Sequence, residues 1–511
     1  MKNIKKYLFI FVLAVGFSAC TEGWLELSNP NLQTTETFWQ TDADFAKGVT
    51  AAYQSLAVYD GTFLRFAPFA LDARADDVWS PSPWDVLSNT GSFKLANNSI
   101  MQNWLWIGFF GVNHRANQVL DYIDDVEFED ATKKDQYKGE ALFLRGLANF
   151  YLVTFFENIP LVTTSIYVDN DKDYFPTQAA PEEVWAQIIS DWTEAANLLP
   201  ATYDASETGR ATKGAALAYL GKAYLTNHDY TNAAVQFEKV KGMGYDLVAN
   251  YADNFNEAGE NNSESVFEIQ FSREVGGTVL GWVGAPAADW SLTTARAITY
   301  TMSPFGWGDA ACTQWIFDEF KAEKTIENED DPRLRTSIFY AGDVLYGQEF
   351  DTVFFATPNA LGVKKYSNFD SGRADEKDWR SGINERLMRY SDVLLMLAEC
   401  EIQEGNIPAA AQLMTTVRDR ANLPDRTAEF AAMSKDAIME QLAHERALEF
   451  CFEGHRFDDI QRWGWLDNPT KLAELQQHDS EFLGYVPGRE FFSIPQAQIE
   501  VNGNFKQNDG Y

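Results

Sequence analysis

Two stretches of the 511-residue chain concentrate side chains that can hold a flat molecule. The first carries Trp79 and Trp84 beside Asp76, Asp77, Asp85 and Asn89. The second carries Trp282, Trp290, Tyr300 and Trp307 beside Asp289. Aromatic rings stack on flat, weakly polar faces, while carboxylates and amides hydrogen-bond to polar groups at the edge of the same ligand. The competing use of each Trp is packing in the core or at an interface. With 15 Trp, 21 Tyr and 37 Phe, the chain has aromatics enough for both uses.

Reactive constellations are poor by comparison. The five histidines, His114, His228, His444, His455 and His478, show no metal-type spacing. His444-Glu445 is followed by Arg446-Ala447-Leu448, so the two-histidine zinc motif is not formed. Asp169-Asn170-Asp171-Lys172-Asp173 opens like a calcium loop. Tyr174 then stands where that loop needs Gly, and Ala180 where it needs Glu, so the run reads as a polar turn. There is no nucleophile elbow, phosphate loop or dinucleotide fingerprint. Carboxylate pairs carry no information in a chain this acidic. No catalytic residue, metal or cofactor is expected, and the chain reads as a non-enzyme.

The elements that must position the aromatic stretches are mostly helical. Ala216–Val240 has the spacing of two short antiparallel helices, with Leu220, Gly221 and Tyr224 in the first and Ala233 and Phe237 in the second. His228-Asp229 forms the turn, and Gly221 and Ala233 let the two backbones approach. These offsets match the tetratricopeptide pattern. A second, imperfect copy lies at Arg389–Asn422, with Gly405-Asn406 in its turn and Glu401 in place of Tyr224. The fold class expected is mainly α: a scaffold of tetratricopeptide-like helix pairs with a loop-rich region carrying a few short strands. Further helices are expected at 41–56, 104–123, 135–156, 181–198 and 436–452. Residues 57–103 read as mostly irregular, because Pro81 and Pro83 oppose a helix there. Residues 265–271 alternate like a strand, and short strand-like runs follow at 337–340 and 352–355. The expected organisation is a leader at 1–19, a tether at 20–40 and one globular unit at 41–511. Within that unit the scaffold occupies 41–250 and 386–466, an aromatic excursion 251–385, and a loop-like C-terminal segment 467–511.

Formal net charge is −34, which excludes nucleic acid as a partner on electrostatic grounds. Lys2, Lys5 and Lys6 precede an apolar run, Tyr7–Phe17, that is too short to remain in a membrane. Phe17-Ser18-Ala19-Cys20 then resembles the bacterial lipoprotein signal, in which the Cys becomes the acylated first residue. Cys20 is therefore the expected lipid attachment, and the anchor is the only membrane contact expected. Cys312, Cys400 and Cys451 remain as an odd set with no disulfide framework.

Several stretches, in order, resemble the SusD/RagB family of outer-membrane nutrient-binding lipoproteins from Bacteroidetes. They are Gly139–Val162, Arg210–Leu225, Asp331-Pro332-Arg333, Arg389–Leu423, His444–Trp465 (HERALEFCFEGHRFDDIQRWGW) and Phe491–Tyr511 (FFSIPQAQIEVNGNFKQNDGY). The resemblance implies a SusD-like α superhelix that sits on a SusC-like TonB-dependent transporter, faces the cell exterior and captures glycan fragments for it. It implies that the motifs just quoted are structural, with Glu445, Arg446, Glu449 and Arg456 in buried ion pairs. It places the ligand face in the regions of the two aromatic stretches but assigns no individual roles there; by residue type the candidate contacts to a glycan are Trp79, Trp84, Asp76, Asp77, Asn89, Trp282, Trp290, Tyr300 and Trp307. Peptide or glycopeptide cargo is the alternative in the same class. A glycoside hydrolase and a purely structural scaffold are the alternatives outside it. The substitution Cys20→Ala should leave ligand binding by the soluble protein intact; loss of binding in that variant would contradict a self-contained site.

Overall fold

The computed structural model describes residues 38–165, 174–274, 292–303, 305–350, 360–369 and 381–511. Cys20, Asp289, Trp282, Trp290, the run Asp169–Asp173 and the strand-like run at 352–355 lie outside the described residues. Twelve helices carry the argument and are labelled here in chain order. They are α1 (Asp42–Val58), α2 (Ile100–Ile123), α3 (Ala131–Phe156), α4 (Pro181–Leu198), α5 (Lys213–Thr226), α6 (Tyr230–Lys241), α7 (Gln314–Ala322), α8 (Pro332–Ser337), α9 (Tyr390–Glu404), α10 (Ile407–Arg420), α11 (Lys435–Phe450) and α12 (Arg456–Arg462).

Local chemistry starts and stops these helices where the sequence provides for it. Thr41 and Asp44 form a reciprocal cap on α1, with the Thr41 N–H donating to Asp44 Oδ2 at 3.1 Å. Asp229 accepts from Asn232 N at 3.2 Å and opens α6. Gly405 takes the left-handed conformation, φ 88°, that closes α9 and turns the chain into α10. In the α5–α6 pair a Cβ on Gly221 would stand 2.5 Å from the Phe237 ring, so only glycine permits this spacing. The two helix pairs do not stack as isolated repeats: α6 packs on α9, which joins both copies into one curved layer.

α2, α3 and α4 form the other side of the scaffold. Asn113 and Asn117, conspicuous among apolar neighbours in the sequence, lie in a buried polar seam. Asn113 Nδ2 donates to Asn149 Oδ1 at 3.1 Å, and Arg145 Nη1 donates to Asn117 Oδ1 at 3.1 Å. Arg145 Nη2 reaches across to Asp191 Oδ1 at 2.7 Å, which ties α3 to α4. These buried side chains are tolerated because each makes at least one hydrogen bond within the seam.

The excursion is held by four short strands, Val78–Trp79, Ala311–Cys312, Gly362–Val363 and Ile338–Phe339, adjacent in that order and antiparallel. Ser265–Ile269 pairs instead with Glu385–Arg389, which leads directly into α9. Two expectations are corrected. Residues 57–103 are largely regular: a π-turn (Asp60–Leu64), a helix (Phe66–Asp72), a strand and a helix (Asp85–Gly91) lie there. The prolines fall between these elements instead of abolishing them. The C-terminal segment likewise contains helices, Pro469–His478 and Gln496–Val501. In both places tertiary packing stabilises helices of ten residues or fewer that local propensity alone would not hold.

What locks excursion to scaffold is a buried ion network. Arg333, at the start of α8, donates to Asp331 Oδ2 at 2.8 Å, Glu445 Oε1 at 2.6 Å and Glu449 Oε2 at 3.1 Å. Arg389 meets Glu449 Oε1 at 2.9 Å, Glu453 Oε2 at 2.7 Å and Glu264. Arg418 reaches Glu445 Oε2 at 2.9 Å, and Arg420 pairs with Glu449 and Glu264. Burial opposes the charge on Glu449, yet Arg420, Arg389 and Arg333 hold its carboxyl well below the usual range. His444, one residue before Glu445, bridges Glu319 (2.7 Å) and Glu323 (3.0 Å). Burial would lower its pKa, but the two carboxylates dominate and push it up to about 9.

Replacing Glu449 with Ala leaves three buried guanidiniums short of a partner and should cost about 3–5 kcal/mol of stability, measured by denaturant unfolding. Because the folded-state pKa of Glu449 is depressed, its contribution is fully present above the ordinary value of 4.5 and is lost as pH falls below it. The deficit of the variant should therefore shrink in acid.

Candidate functional site

The π-turn Asp60–Leu64 lies flat on α2 because glycine is used at both contacts. A Cβ on Gly61 would stand 1.8 Å from the Trp104 carbonyl oxygen, and one on Gly108 would stand 2.9 Å from Thr62 Cγ2. The chain then leaves the turn at Arg65, whose guanidinium enters a bed of aromatic rings. Its Cζ lies 4.3 Å from the Trp307 ring centroid, 4.8 Å from Phe66 and 5.5 Å from Trp84. Trp104 stacks on Phe66 at 4.6 Å and meets Trp84 edge-on at 6.3 Å.

Arg65 is 6% exposed and makes no hydrogen bond among the described residues; its buried Nε has no partner. Its carboxylate neighbour, Asp309, lies at 3.8 Å from Nη2, beyond hydrogen-bonding distance. Burial, only partly offset by Asp309 and Asp60, lowers the Arg65 pKa to about 10. A guanidinium has five N–H donors, and a buried one normally spends them on carboxylates or carbonyls. Here they face an aromatic bed with a second polar group beside it. Asp309 is oriented by Ser82 Oγ, which donates to its Oδ1 at 2.6 Å, and Ser80 Oγ donates to the Asp309 carbonyl at 2.8 Å. Aromatic faces, unused N–H donors and a nearby carboxylate with an acceptor to spare form the set that holds a flat, hydroxyl-bearing molecule.

The site unites residues from both aromatic stretches of the sequence. Trp84 and Trp307 flank the same guanidinium. Trp79 is 41% exposed at the end of the strand that pairs with Ala311–Cys312, and Asn89 is half-buried on the following helix. Three expected contacts are corrected by burial. Asp76 is fully buried, paired with Arg456 (2.7 Å) and His478 (2.8 Å), which hold its carboxyl well below the usual range against the effect of burial. Asp77 is buried and accepts from Phe452 N at 3.0 Å; burial, with Asp72 and Asp76 alongside, pushes its pKa up to about 8. Tyr300 is 2% exposed and donates to Asp72 Oδ2 at 2.6 Å. Asp77 bonds to the turn between α11 and α12 and Asp76 to the first residue of α12, which fastens the adjoining strand Val78–Trp79 there. Sequence reading missed Arg65, Asp309 and Trp104. The one available signal was a lone arginine in the apolar run Phe63-Leu64-Arg65-Phe66.

Comparison with known proteins places this geometry in context. A model described as the SusD family matches residues 263–511, and one described as starch-binding, associating with the outer membrane, matches residues 23–225. SusD-like protein P25 of Formosa agariphila is 24% identical, with 100% of this chain and 99% of that protein covered. A SusD superfamily protein from Bacteroides vulgatus, known from its crystal structure, is 28% identical with a TM-score of 0.80, covering 93% of this chain and 100% of that one. A laminarin-binding SusD-like protein is 24% identical with a TM-score of 0.76, covering 92% of this chain and 100% of that one.

A buried arginine without hydrogen bonds weakens the fold it sits in. Arg65→Met keeps the packing of the side-chain stem and removes the desolvated charge. The melting temperature of that variant should be equal to or above that of the parent; a fall of several degrees would show that Arg65 serves stability.

Proposed function

The chain belongs to the SusD family, and on that premise we propose that it is a surface-exposed, lipid-anchored protein that captures an oligo- or polysaccharide and hands it, uncut, to a SusC-like TonB-dependent transporter. Cys20 carries the anchor in this reading. Among the described residues no helix is long and apolar enough to cross a membrane, which accords with attachment through acyl chains. The matched family description, starch-binding and associated with the outer membrane, and the laminarin-binding relative favour carbohydrate over peptide as cargo.

The observation that carries the reading is Arg65. A sugar ring stacked on Trp84 or Trp307 would set adjacent hydroxyls within reach of its unused N–H donors, and Asp309 would accept a hydroxyl proton. The rings supply contact area, and the Arg65–Asp309 pair supplies orientation. Trp79 and Asn89 extend the same face, and Trp282 and Trp290 are proposed as further contacts. No step in this mechanism breaks a bond: the ligand is held by stacking and hydrogen bonds weak enough to release it to a partner.

Affinity electrophoresis of the protein lacking residues 1–20 against a panel of polysaccharides tests the proposal. Retardation in at least one glycan should fall tenfold or more in Trp84→Ala, Trp307→Ala and Arg65→Met, and the recovered glycan should be unshortened. Absence of retardation in every glycan, with the fold intact by circular dichroism, would reject carbohydrate as the cargo.

A further inference from the structure

A concave surface lies near the aromatic site and differs from it in charge. A groove of about 650 Å³ opens between α1 and α2, beside Tyr59, the residue that precedes the π-turn carrying Arg65. Its polar lining is Lys47, His114, Arg115 and Gln118, and Tyr59 contributes an aromatic wall. Among the described residues no Asp or Glu lines it, in a chain with 75 acidic and 41 basic residues.

Arg115 is the centre of this groove. Its Nη1 donates to the Ala51 carbonyl at 3.2 Å and its Nη2 to Tyr59 Oη at 3.4 Å, and it meets no carboxylate among the described residues. Two acidic groups that act on the lining residues are already engaged. Asp44 caps α1 and accepts from Lys47 at 3.2 Å, leaving the Lys47 side chain 64% exposed. Asp121, which acts on His114, accepts from Ser165 N at 2.6 Å and Oγ at 2.7 Å. His114 is held toward its neutral form by burial and by Arg115. The groove therefore presents the uncompensated charge of Arg115 and the exposed charge of Lys47, with Gln118 beside them. A concave surface lined by one sign of charge concentrates its field on a counter-ion, and a guanidinium fork matches the geometry of a carboxylate or sulfate.

Position links the groove to the aromatic site. Tyr59 packs over Gly111 of α2, where a Cβ would stand 2.9 Å from its ring. Trp104, which backs the aromatic cluster, lies on the same helix, about 16 Å from Arg115 at roughly 1.5 Å per residue. That is room for several sugar rings. The charge balance at the two ends differs: Asp60 and Asp309 both act on Arg65, which disfavours an added negative group there, whereas among the described residues no Asp or Glu lines the groove of Arg115.

We propose that the Arg115 groove is a second subsite, which takes the carboxylate or sulfate group of an acidic glycan whose uncharged rings lie on the Trp84–Trp307 face. This rests on the carbohydrate-binding reading above and names the ligand class it implies: a polysaccharide bearing acid groups at intervals.

The test pairs polygalacturonate and a sulfated galactan with laminarin as an uncharged glycan, using the protein lacking residues 1–20 and the variants Arg115→Ala, Arg115→Lys and Trp84→Ala. Affinity electrophoresis and calorimetry give the affinities, and thermal melting checks that each variant folds. Support would be binding of an acidic polysaccharide that falls tenfold or more in Arg115→Ala, is partly retained in Arg115→Lys and weakens with sodium sulfate more than with chloride at equal ionic strength. The carboxylated and sulfated arms distinguish the two acid groups. Acidic-glycan binding that is indifferent to Arg115→Ala would overturn the inference. So would binding of laminarin alone, lost in Trp84→Ala and unchanged in Arg115→Ala, although the carbohydrate-binding reading would then stand. Binding of no glycan would reject both.

Discussion

Burying a charge is costly unless an opposite charge is buried with it, and this constraint organises the molecule. Glu445 and Glu449 project one turn apart from α11 into a fully buried space, where Arg333, Arg389, Arg418 and Arg420 converge on them. Those four arginines come from the excursion, from the strand that re-enters the scaffold and from the second helix pair. Removing any one leaves a carboxylate undercompensated, so the elements are held in one arrangement relative to one another. A network of this kind adds little net stability, since desolvation cancels much of the attraction. Its effect is to fix position, which the two-residue strands of the excursion lack on their own.

The same logic extends to the candidate site. Asp76 and Asp77, expected from the sequence to be ligand contacts, turn inward, and so does Asp72. Asp72 accepts from Gly454 N at 2.7 Å and pairs with Arg296 at 2.8 Å, and Asp76 pairs with Arg456. The strand carrying Trp79 is thereby fastened to the turn after α11. A second fastening comes from the C-terminal segment, where Glu481 Oε2 accepts from Ser80 N at 3.3 Å. Burial, together with Asp479, raises the Glu481 pKa to about 8. Outside this network, Arg74 and Arg489 spend their N–H groups on backbone carbonyls. Arg65 and Arg115 also lack a hydrogen-bonded carboxylate among the described residues, and they lie against aromatic rings and a groove beside α2.

Helix content and the paired-helix scaffold were legible because their signals are local. Gly221, Ala233 and Phe237 declare a close helix contact within one stretch, and Gly405 declares a turn through its own backbone freedom. The ordered motifs made the family legible, and the description of Glu445, Arg446, Glu449 and Arg456 as structural ion pairs agrees with the geometry. Residues 57–103 were misread because their short helices depend on docking against α2 and α12, contacts with no local signature. The site was half legible. Tryptophans could be picked out by type, but whether an aspartate faces solvent or an arginine depends on a partner hundreds of residues away: Asp76 meets Arg456, and Asp309 meets Ser82.

The sequence by itself determined the mainly helical class and the family, because both are written in spacing and motif order along the chain. Only the tertiary structure decided which polar groups are spent internally and which remain for a ligand. That distinction is a sum over every neighbour of a buried charge, and a linear chain does not display its neighbours. It moved Asp76, Asp77 and Tyr300 into the framework and brought Arg65 and Arg115, unremarkable as letters, to the surfaces where binding chemistry is available.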